Sequence, residues 1–461
     1  MKVIKLALLG TAALAAVSVS ARADDLSALK AQIEALQADV AALQAAPAVP
    51  AGYQLLTISE ADRIVVPGLE VRDVHGQSKT ATTIGILPTA DVPASTVIQW
   101  SGSVRAAITY VDIDQTGTRG TTVQRATHGA NAAVDSDALR IRARGRLDVT
   151  GTTDTAVGEV GASMSIFADF GNKMAGGTGF TSNSGGVTMD YAWGWWKMTP
   201  ELTFAGGYNG SLATIGMGIR KVNDYYISRG GTGVDGGDFT QLRVSYASGP
   251  VGIAIALEHT DEGDNRLTAL GTGLPSVVSN SGSPLGVAGE LTYAGDMFNA
   301  EIAGFLRDAD SNGTVVGGKV TQSQIGLGLG ANLSDMFNIS VAGSIGNNVW
   351  FSDGVSTGAA SFGLARDVHI GDGWEVSGAV VATLSDSVSA ELGAGFSSYD
   401  HDHSSLETDT MAIAGGVYWS PVSQLKMGVQ ASLVDIDNSA AVAGYKDEEQ
   451  FNAAFVTWWN F

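Results

Sequence analysis

Cysteine is absent from all 461 residues, which removes disulfide bridges and thiolate metal sites from any account of this chain. Basic residues are scarce, with 26 Lys and Arg against 47 Asp and Glu, and nucleic acid is a poor partner for a surface of that sign. There are only ten prolines. Beyond the first 23 residues, no run approaches the roughly 18–20 apolar residues that a membrane-crossing helix needs. If the chain is integral to a membrane, it crosses with strands. Gly-x-Ser-x-Gly, His-Glu-x-x-His and P-loop patterns are also missing, and the six histidines are scattered, so catalysis is not expected. The alternative left open is a barrel enzyme whose triad is assembled across strands. No cofactor and no metal is expected.

The chain begins with Lys2 and Lys5, an apolar stretch from Leu6 to about Val19, and Ala21-Arg22-Ala23 before Asp24. This is the pattern of a secretory signal peptide over 1–23. Its removal leaves 23 basic and 47 acidic residues, a net charge of −24 (23 − 47). Over 24–46, Leu26, Leu29, Ile33, Leu36, Val40 and Leu43 are spaced alternately by three and four, an a/d heptad seam. A coiled coil this short is marginal alone and is expected only where a larger assembly concentrates its copies. A single amphipathic helix lying on a protein surface is the alternative. Ile33 and Val40 at a positions with Leu at d favour two strands of coiled coil. Pro47 and Pro50 end the helix, and 47–95 reads as a linker with a hairpin or as a small periplasmic element below the barrel.

From about residue 96 the apolar period becomes two. The first strand puts Ile98, Trp100, Val104, Ile108 and Tyr110 on one face and Gln99, Ser101, Ser103, Arg105 and Thr109 on the other. About sixteen such segments follow one another to the end, joined alternately by short and long connections. The short ones include Thr199-Pro200, Ser248-Gly249-Pro250, Gly295-Asp296, Ser334-Asp335, Ser385-Asp386 and Ser420-Pro421. All ten prolines are expected in linkers, loops or turns. The last segment carries Phe451, Phe455, Trp459 and Phe461 on one face, broken only by Thr457, and ends on that aromatic. Large apolar groups at every second position with aromatics at the interface suit a lipid-facing strand. The fold expected is therefore all-β: a transmembrane antiparallel β-barrel of about sixteen strands over 96–461, preceded by a short N-terminal coiled-coil helix, in the outer membrane.

Two features point to a lumen. Arg140, Arg142, Arg144 and Arg146 alternate with Leu139, Ile141, Ala143 and Leu147 on the second strand. Four arginines facing lipid, at about 2–4 kcal/mol each near the midplane, would be prohibitive. Turned inward they would line a wet pore over roughly 20 Å, at about 3.4 Å per residue, with Arg105 extending the patch. The connection 210–238, after the fifth strand, mixes apolar residues with Arg220, Lys221, Asp224, Arg229, Asp235 and Asp238. Such a loop suits folding into the barrel as a constriction; the alternative is packing at the mouth. The remaining long loops are acidic, with Asp112 and Asp114, Asp261, Glu262 and Asp264, Asp308 and Asp310, Asp400 and Asp402, and Asp447 to Glu449 assigned to them as solvated surface. His401 and His403 beside Asp400 and Asp402 read as loop rather than metal site.

Taken together, the signal peptide, the strand count, the long loop after the fifth strand and terminal Phe461 resemble the general porins. The stretch Gly186-Val187-Thr188-Met189-Asp190-Tyr191-Ala192-Trp193, continuing to Tyr208, is similar to the alphaproteobacterial porin family. The resemblance covers roughly 97–461 and implies a homotrimer of barrels passing ions and small hydrophilic solutes. It also implies a lipid and lipopolysaccharide environment, and recognition of Phe455, Trp459 and Phe461 by the barrel-assembly machinery. A trimer would favour three coiled-coil strands, against the two suggested by the a positions. The heptad segment and the lack of the cysteine-containing N-terminal stretch of many members are departures. A substrate-selective porin of the same architecture is one alternative. An adhesin or structural anchor using the acidic loops and the coiled coil is another.

Overall fold

Strand after strand alternates bulky and small side chains. In Val251-Gly252-Ile253-Ala254-Ile255-Ala256-Leu257-Glu258 the large odd-numbered residues are exposed while Ala254, Ala256 and Glu258 are buried. A period of two with opposite environments on its two faces is a β-strand separating two media. The computed structural model describes residues 56–69, 80–86, 96–116, 135–170, 187–223, 226–230, 232–259, 285–311, 318–349, 371–401, 407–439 and 447–461. The expected signal segment and coiled coil, 1–46, lie outside them.

A hairpin comes first, β1 (Leu56–Asp62) and β2 (Thr80–Ile86). The wall follows as β3 (Thr96–Thr116), β4 (Asp135–Thr155), β5 (Gly158–Phe170), β6 (Val187–Lys197), β7 (Leu202–Gly210), β8 (Asp238–Ser248), β9 (Val251–His259) and β10 (Leu285–Ala294). It continues as β11 (Phe298–Ser311), β12 (Gly318–Ser334), β13 (Phe337–Val349), β14 (Gly371–Ser385), β15 (Val388–His401), β16 (Glu407–Val422), β17 (Leu425–Asn438) and β18 (Asp447–Asn460). Consecutive strands from β3 onward pair antiparallel, and β18 pairs with β3 to close sixteen strands into a barrel.

The outer face is apolar around the circumference. Val104 and Ile108 on β3, Leu139 and Ile141 on β4, Leu327 and Leu329 on β12, and Met411 and Ile413 on β16 are all exposed. Trp100, Trp196, Phe204, Tyr246, Tyr293, Phe298, Phe337, Trp419 and Trp459 form an exposed aromatic girdle near the short-turn end, as at a membrane interface. A closed ladder leaves no unpaired edge for lipid to meet. The chain is a transmembrane β-barrel.

The seam uses the last residues of the chain. Phe461 donates its N–H to the Gly102 carbonyl at 3.0 Å and accepts from the Gly102 N–H at 2.9 Å. Its ring lies where a side chain on residue 102 would sit, so glycine there lets the C-terminal aromatic cover the joint. Phe455, Trp459 and Phe461 all face outward and are exposed. Thr457, the polar exception on this face, donates its hydroxyl to the Ala106 carbonyl at 3.1 Å, which satisfies it without water.

Two sequence expectations need correction. Asp112 and Asp114, Asp308 and Asp310, Asp400, and Asp447 to Glu449 lie within β3, β11, β15 and β18 rather than in loops. The ladders continue past the apolar belt, and a solvated side chain does not prevent its backbone from pairing. Asp261, Glu262, Asp264, Asp402 and His403 lie outside the described residues. Ser420 and Pro421 sit within the end of β16 instead of a turn, at a register irregularity between Trp419 and Val422. A bulge tolerates proline because the residue there owes no N–H to the ladder.

Because the seam rests on Phe461, its deletion should prevent barrel closure, and Trp459→Asp should lower the folded yield by placing a carboxylate on the lipid face. Heat-modifiable mobility of the protein in isolated outer membranes measures both. Wild-type folded levels after deletion of Phe461 would refute the expectation.

Candidate functional site

The connection between β7 and β8 enters the interior of the barrel. Its described residues, 211–223, 226–230 and 232–237, fold inward and run along the inner wall. Leu212 and Ala213 pack with Ala254, Ala256, Ala288 and Phe305, and Ile215, Met217 and Val234 with Ala303 and Ala342. Ile219, Val222, Tyr226 and Ile227 join Ala412, Ala414, Tyr418, Val434, Val456 and Trp458. The many inward alanines of β9 to β18 are explained by this loop, since larger side chains would leave it no room.

Polar groups of the wall fix the loop's main chain. Ser340 Oγ accepts from the Gly218 N–H at 3.1 Å and Ser377 Oγ from the Ile219 N–H at 3.2 Å. Glu391 Oε1 accepts from the Asn223 N–H at 2.7 Å and from the Tyr418 hydroxyl at 2.5 Å. Glu375 Oε2 accepts from the Gly233 N–H at 2.9 Å, and its Oε1 from Ser344 at 2.8 Å. Gln430 Nε2 donates to the Asn223 carbonyl at 3.1 Å. A buried loop would otherwise carry unsatisfied peptide groups.

Of the loop's charged residues, Arg220 and Lys221 lie in a 3-10 turn at Gly218–Lys221. Arg220 pairs with Asp235 at 2.9 Å, and Asp235 also accepts from the Thr214 hydroxyl at 3.2 Å and the Gly237 N–H at 3.0 Å. Burial lowers the Lys221 pKa, opposed by the field of Glu301. Arg229 donates to the Ile219 carbonyl at 3.4 Å. Asp238 is the first residue of β8, opposite Gly210. Asp224 lies outside the described residues.

The arginines stand on β3 and β4, beside β18, whose Val456 and Trp458 the loop reaches. Arg140, Arg142, Arg144 and Arg146 share one face of β4, while Leu139 and Ile141 are exposed on the other. Arg105 on β3 is buried and directly opposite Arg144. Two like charges in register destabilise a pair of strands, and carboxylates relieve them. Arg144 Nε and Nη2 each reach Asp169 at 2.6 Å, a bidentate pair on β5. Arg146 meets Asp148 at 2.9 Å and Asp190 at 3.2 Å. Arg142 makes no ion pair among the described residues, and its guanidinium lies 5.2 Å from the centre of the Tyr226 ring at the far reach of the loop. Burial raises the Tyr226 pKa, against the pull of Arg105, Arg142 and Arg144. The patch thus holds five guanidinium groups and three carboxylates, net +2 (5 − 3).

Sequence reasoning missed the carboxylates Asp148, Asp169 and Asp190, the wall groups Glu375, Glu391 and Gln430, and Arg243 on β8. Strand parity carried a signal for Glu375 and Glu391, which sit between outward Trp374 and Val376 and beside outward Leu392. Asp190 was hidden by a bulge. Ser165 pairs with Tyr191 and Ile166 with Met189, so Asp190 is the extra residue and both it and Tyr191 turn inward to Arg146.

No protein-family model and no curated protein matches the chain. Solved structures similar in fold include the outer membrane channel DcaP of Acinetobacter baumannii, with a TM-score of 0.53 at 16% identity over 81% of this chain and 99% of that one. OmpT, an outer membrane protein of Vibrio cholerae, aligns with a TM-score of 0.46 at 11% identity over 79% of this chain and 98% of that one. A mutant of the Rh. blastica porin gives 0.40 at 15% identity over 79% and 100% of the two chains. The likeness to the first is one of fold, an outer-membrane β-barrel.

Glu391 serves the loop through an acceptor rather than through charge alone, which separates two substitutions. Glu391→Gln should keep the Asn223 contact, whereas Glu391→Ala should release it, at roughly 1.5–3 kcal/mol for a hydrogen bond to a charged group. Limited proteolysis of the folded barrel should then cut Glu391→Ala within 211–237 faster than wild type. Equal cutting of all three proteins would mean that the apolar contacts alone hold the loop.

Proposed function

We propose that the barrel is an outer-membrane porin, a water-filled channel through which ions and small hydrophilic solutes diffuse passively. The observation that carries this reading is the inward arginine patch facing a loop tethered inside the barrel. Cationic side chains cost least where water reaches them, and a charged wall beside a tethered constriction is the arrangement that sets selectivity in a pore. The short-turn end, with both chain ends of the barrel, is the periplasmic side.

The finer assignments belong to the same proposal. The sequence of Gly186 to Trp193, which resembles that of the alphaproteobacterial porins, supports a place near that family. The exposed aromatics Phe455, Trp459 and Phe461 suit recognition by the assembly machinery, and the acidic strand ends suit contact with lipopolysaccharide through divalent cations. Residues 1–23 act as the signal peptide, and the resemblance to the general porins supports a homotrimer, in which the 24–46 heptads of three copies would meet.

Arg142 is the best probe of the eyelet, because Arg144 is engaged by Asp169 and its reversal would set two carboxylates against each other across β4 and β5. Arg142→Glu takes the patch from net +2 to zero, so permeability should move toward cations while the barrel stays folded. Reversal potentials across planar bilayers under a KCl gradient report this. An unchanged potential with normal conductance would place Arg142 off the ion path. Deleting 24–46 should leave the barrel folded but lower the temperature at which the oligomer dissociates on gels. An unchanged temperature would reduce that segment to a tether.

A further inference from the structure

A second element enters the lumen, and it comes from the hairpin. β2 pairs with Thr96–Trp100 of β3, and β18 pairs with Ser103–Thr116 along the same edge. The hairpin therefore cannot climb the wall beyond Thr80, because the end of β18 already occupies the next position. Residues 63–69, which follow Asp62, leave the sheet and turn inward.

Their path is fixed by the wall. Gln99 on β3 accepts from the Ile64 N–H at 2.6 Å and donates to the Asp62 carbonyl at 2.8 Å. Val66-Pro67-Gly68-Leu69 then makes a tight turn, closed by the Leu69 N–H on the Val66 carbonyl at 3.2 Å, with Gly68 at φ +83°. Pro at the second position and Gly at the third suit a type II turn. The turn is docked on the inward faces of β6, β7 and β8. Trp193 Nε1 donates to the Pro67 carbonyl at 2.8 Å and Asn209 Nδ2 to the Gly68 carbonyl at 2.7 Å. Val66 and Leu69 are buried with Tyr191, Trp193, Trp195 and Ala205. Trp193 lies four residues and Asn209 seven residues from the short-turn ends of their strands, about 13 Å and 23 Å at about 3.3 Å per residue. The tip thus reaches the root of the 211–237 loop. There Arg243, stacked 5.1 Å from the Trp193 ring, donates to the Gly68 carbonyl at 3.4 Å and the Gly210 carbonyl at 2.9 Å.

The geometry points to a second size filter: residues 63–69 are a lumenal strap that narrows the passage below the eyelet and, through Arg243, shares an anchor with the eyelet loop. The inference rests on the channel reading above. Three inward aromatics on one strand, Tyr191, Trp193 and Trp195, would face open water in a wet barrel, yet each is at most 3% exposed. The strap covers them, and the cross-section it fills is closed to solute.

The test uses the full chain with 63–79 replaced by Asn-Gly. Asp62 and Thr80 are already paired, and a two-residue turn of that type closes an antiparallel hairpin. Wild type and variant are compared in planar bilayers for KCl conductance, and in liposome swelling for the largest neutral sugar admitted. The expected result is a higher conductance and an upward shift in the sugar cutoff. Should the shortened hairpin fail to fold, Leu69→Asp, which sets a charge among the aromatics and undocks the turn, is read the same way. A wild type that conducts and a folded variant with the same conductance and cutoff would overturn the strap as a filter while leaving the channel intact. A folded wild type and variant that both fail to conduct would overturn the channel reading and the filter with it.

Discussion

The pairing of β18 with β3 is the constraint on which the rest of the molecule depends. Without it the sheet would present two unpaired edges to hydrocarbon, where each unsatisfied peptide group costs several kcal/mol. Closure also sets what each residue faces. Once the ladder is a ring, parity sends every second side chain to lipid and the others to a shared interior, so one register at the seam orients Phe455, Trp459 and Phe461 outward and Trp458 inward. The same seam dictates the strap. By ending beside Gly102, β18 takes the edge of β3 that the hairpin would otherwise use, and the hairpin's loop is left with the lumen.

A barrel of sixteen strands encloses more space than wall side chains fill, and this chain fills much of it with backbone. Placing backbone inside is expensive unless its amides and carbonyls are met. The wall does so with single polar groups on otherwise small inward faces, such as Ser340, Ser377, Glu375 and Glu391. Carboxylates suit that task because one group accepts several donors. Glu391 holds both Asn223 and the Tyr418 hydroxyl, tying the loop to the wall through one residue. Alanines supply the clearance, and the apolar side chains of the loop supply the burial.

The strands were legible in the sequence because lipid imposes one demand around the whole circumference. Positions such as Ile253, Ile255 and Leu257 must be large and apolar, so alternation survives in every strand and the count of sixteen follows. The inward placement of the arginines was legible for the converse reason, since hydrocarbon would not tolerate them. The interior was less legible because no single demand governs it. An inward position can be Ala254 beneath a loop, Arg142 beside a tyrosine, or Trp193 beneath the strap. The bulge at Asp190 shifts parity by one without any change in composition. The segment 63–69 carried a Pro-Gly turn signal, but the turn's location inside the barrel follows from where β18 stops, which local pattern does not encode.

The two walls of the lumen divide the electrostatics between them. On β3 and β4 the cations exceed their carboxylate partners, and Arg142 approaches the loop through a ring rather than through an acid. Across the lumen, the carboxylates of β14 and β15 are committed to loop amides and covered by it. On the channel reading proposed above, the large negative net charge of the chain does not by itself set the sign of the passage, because local groups, Glu258 and Glu301 on β9 and β11 included, are nearer to it. Charges at the strand ends are screened within about 8 Å at physiological ionic strength, whereas a solute in the constriction meets Arg142 and its neighbours at contact range. Selectivity, on the channel reading proposed above, is set largely by this strand face, and it persists only while the seam keeps that face turned inward.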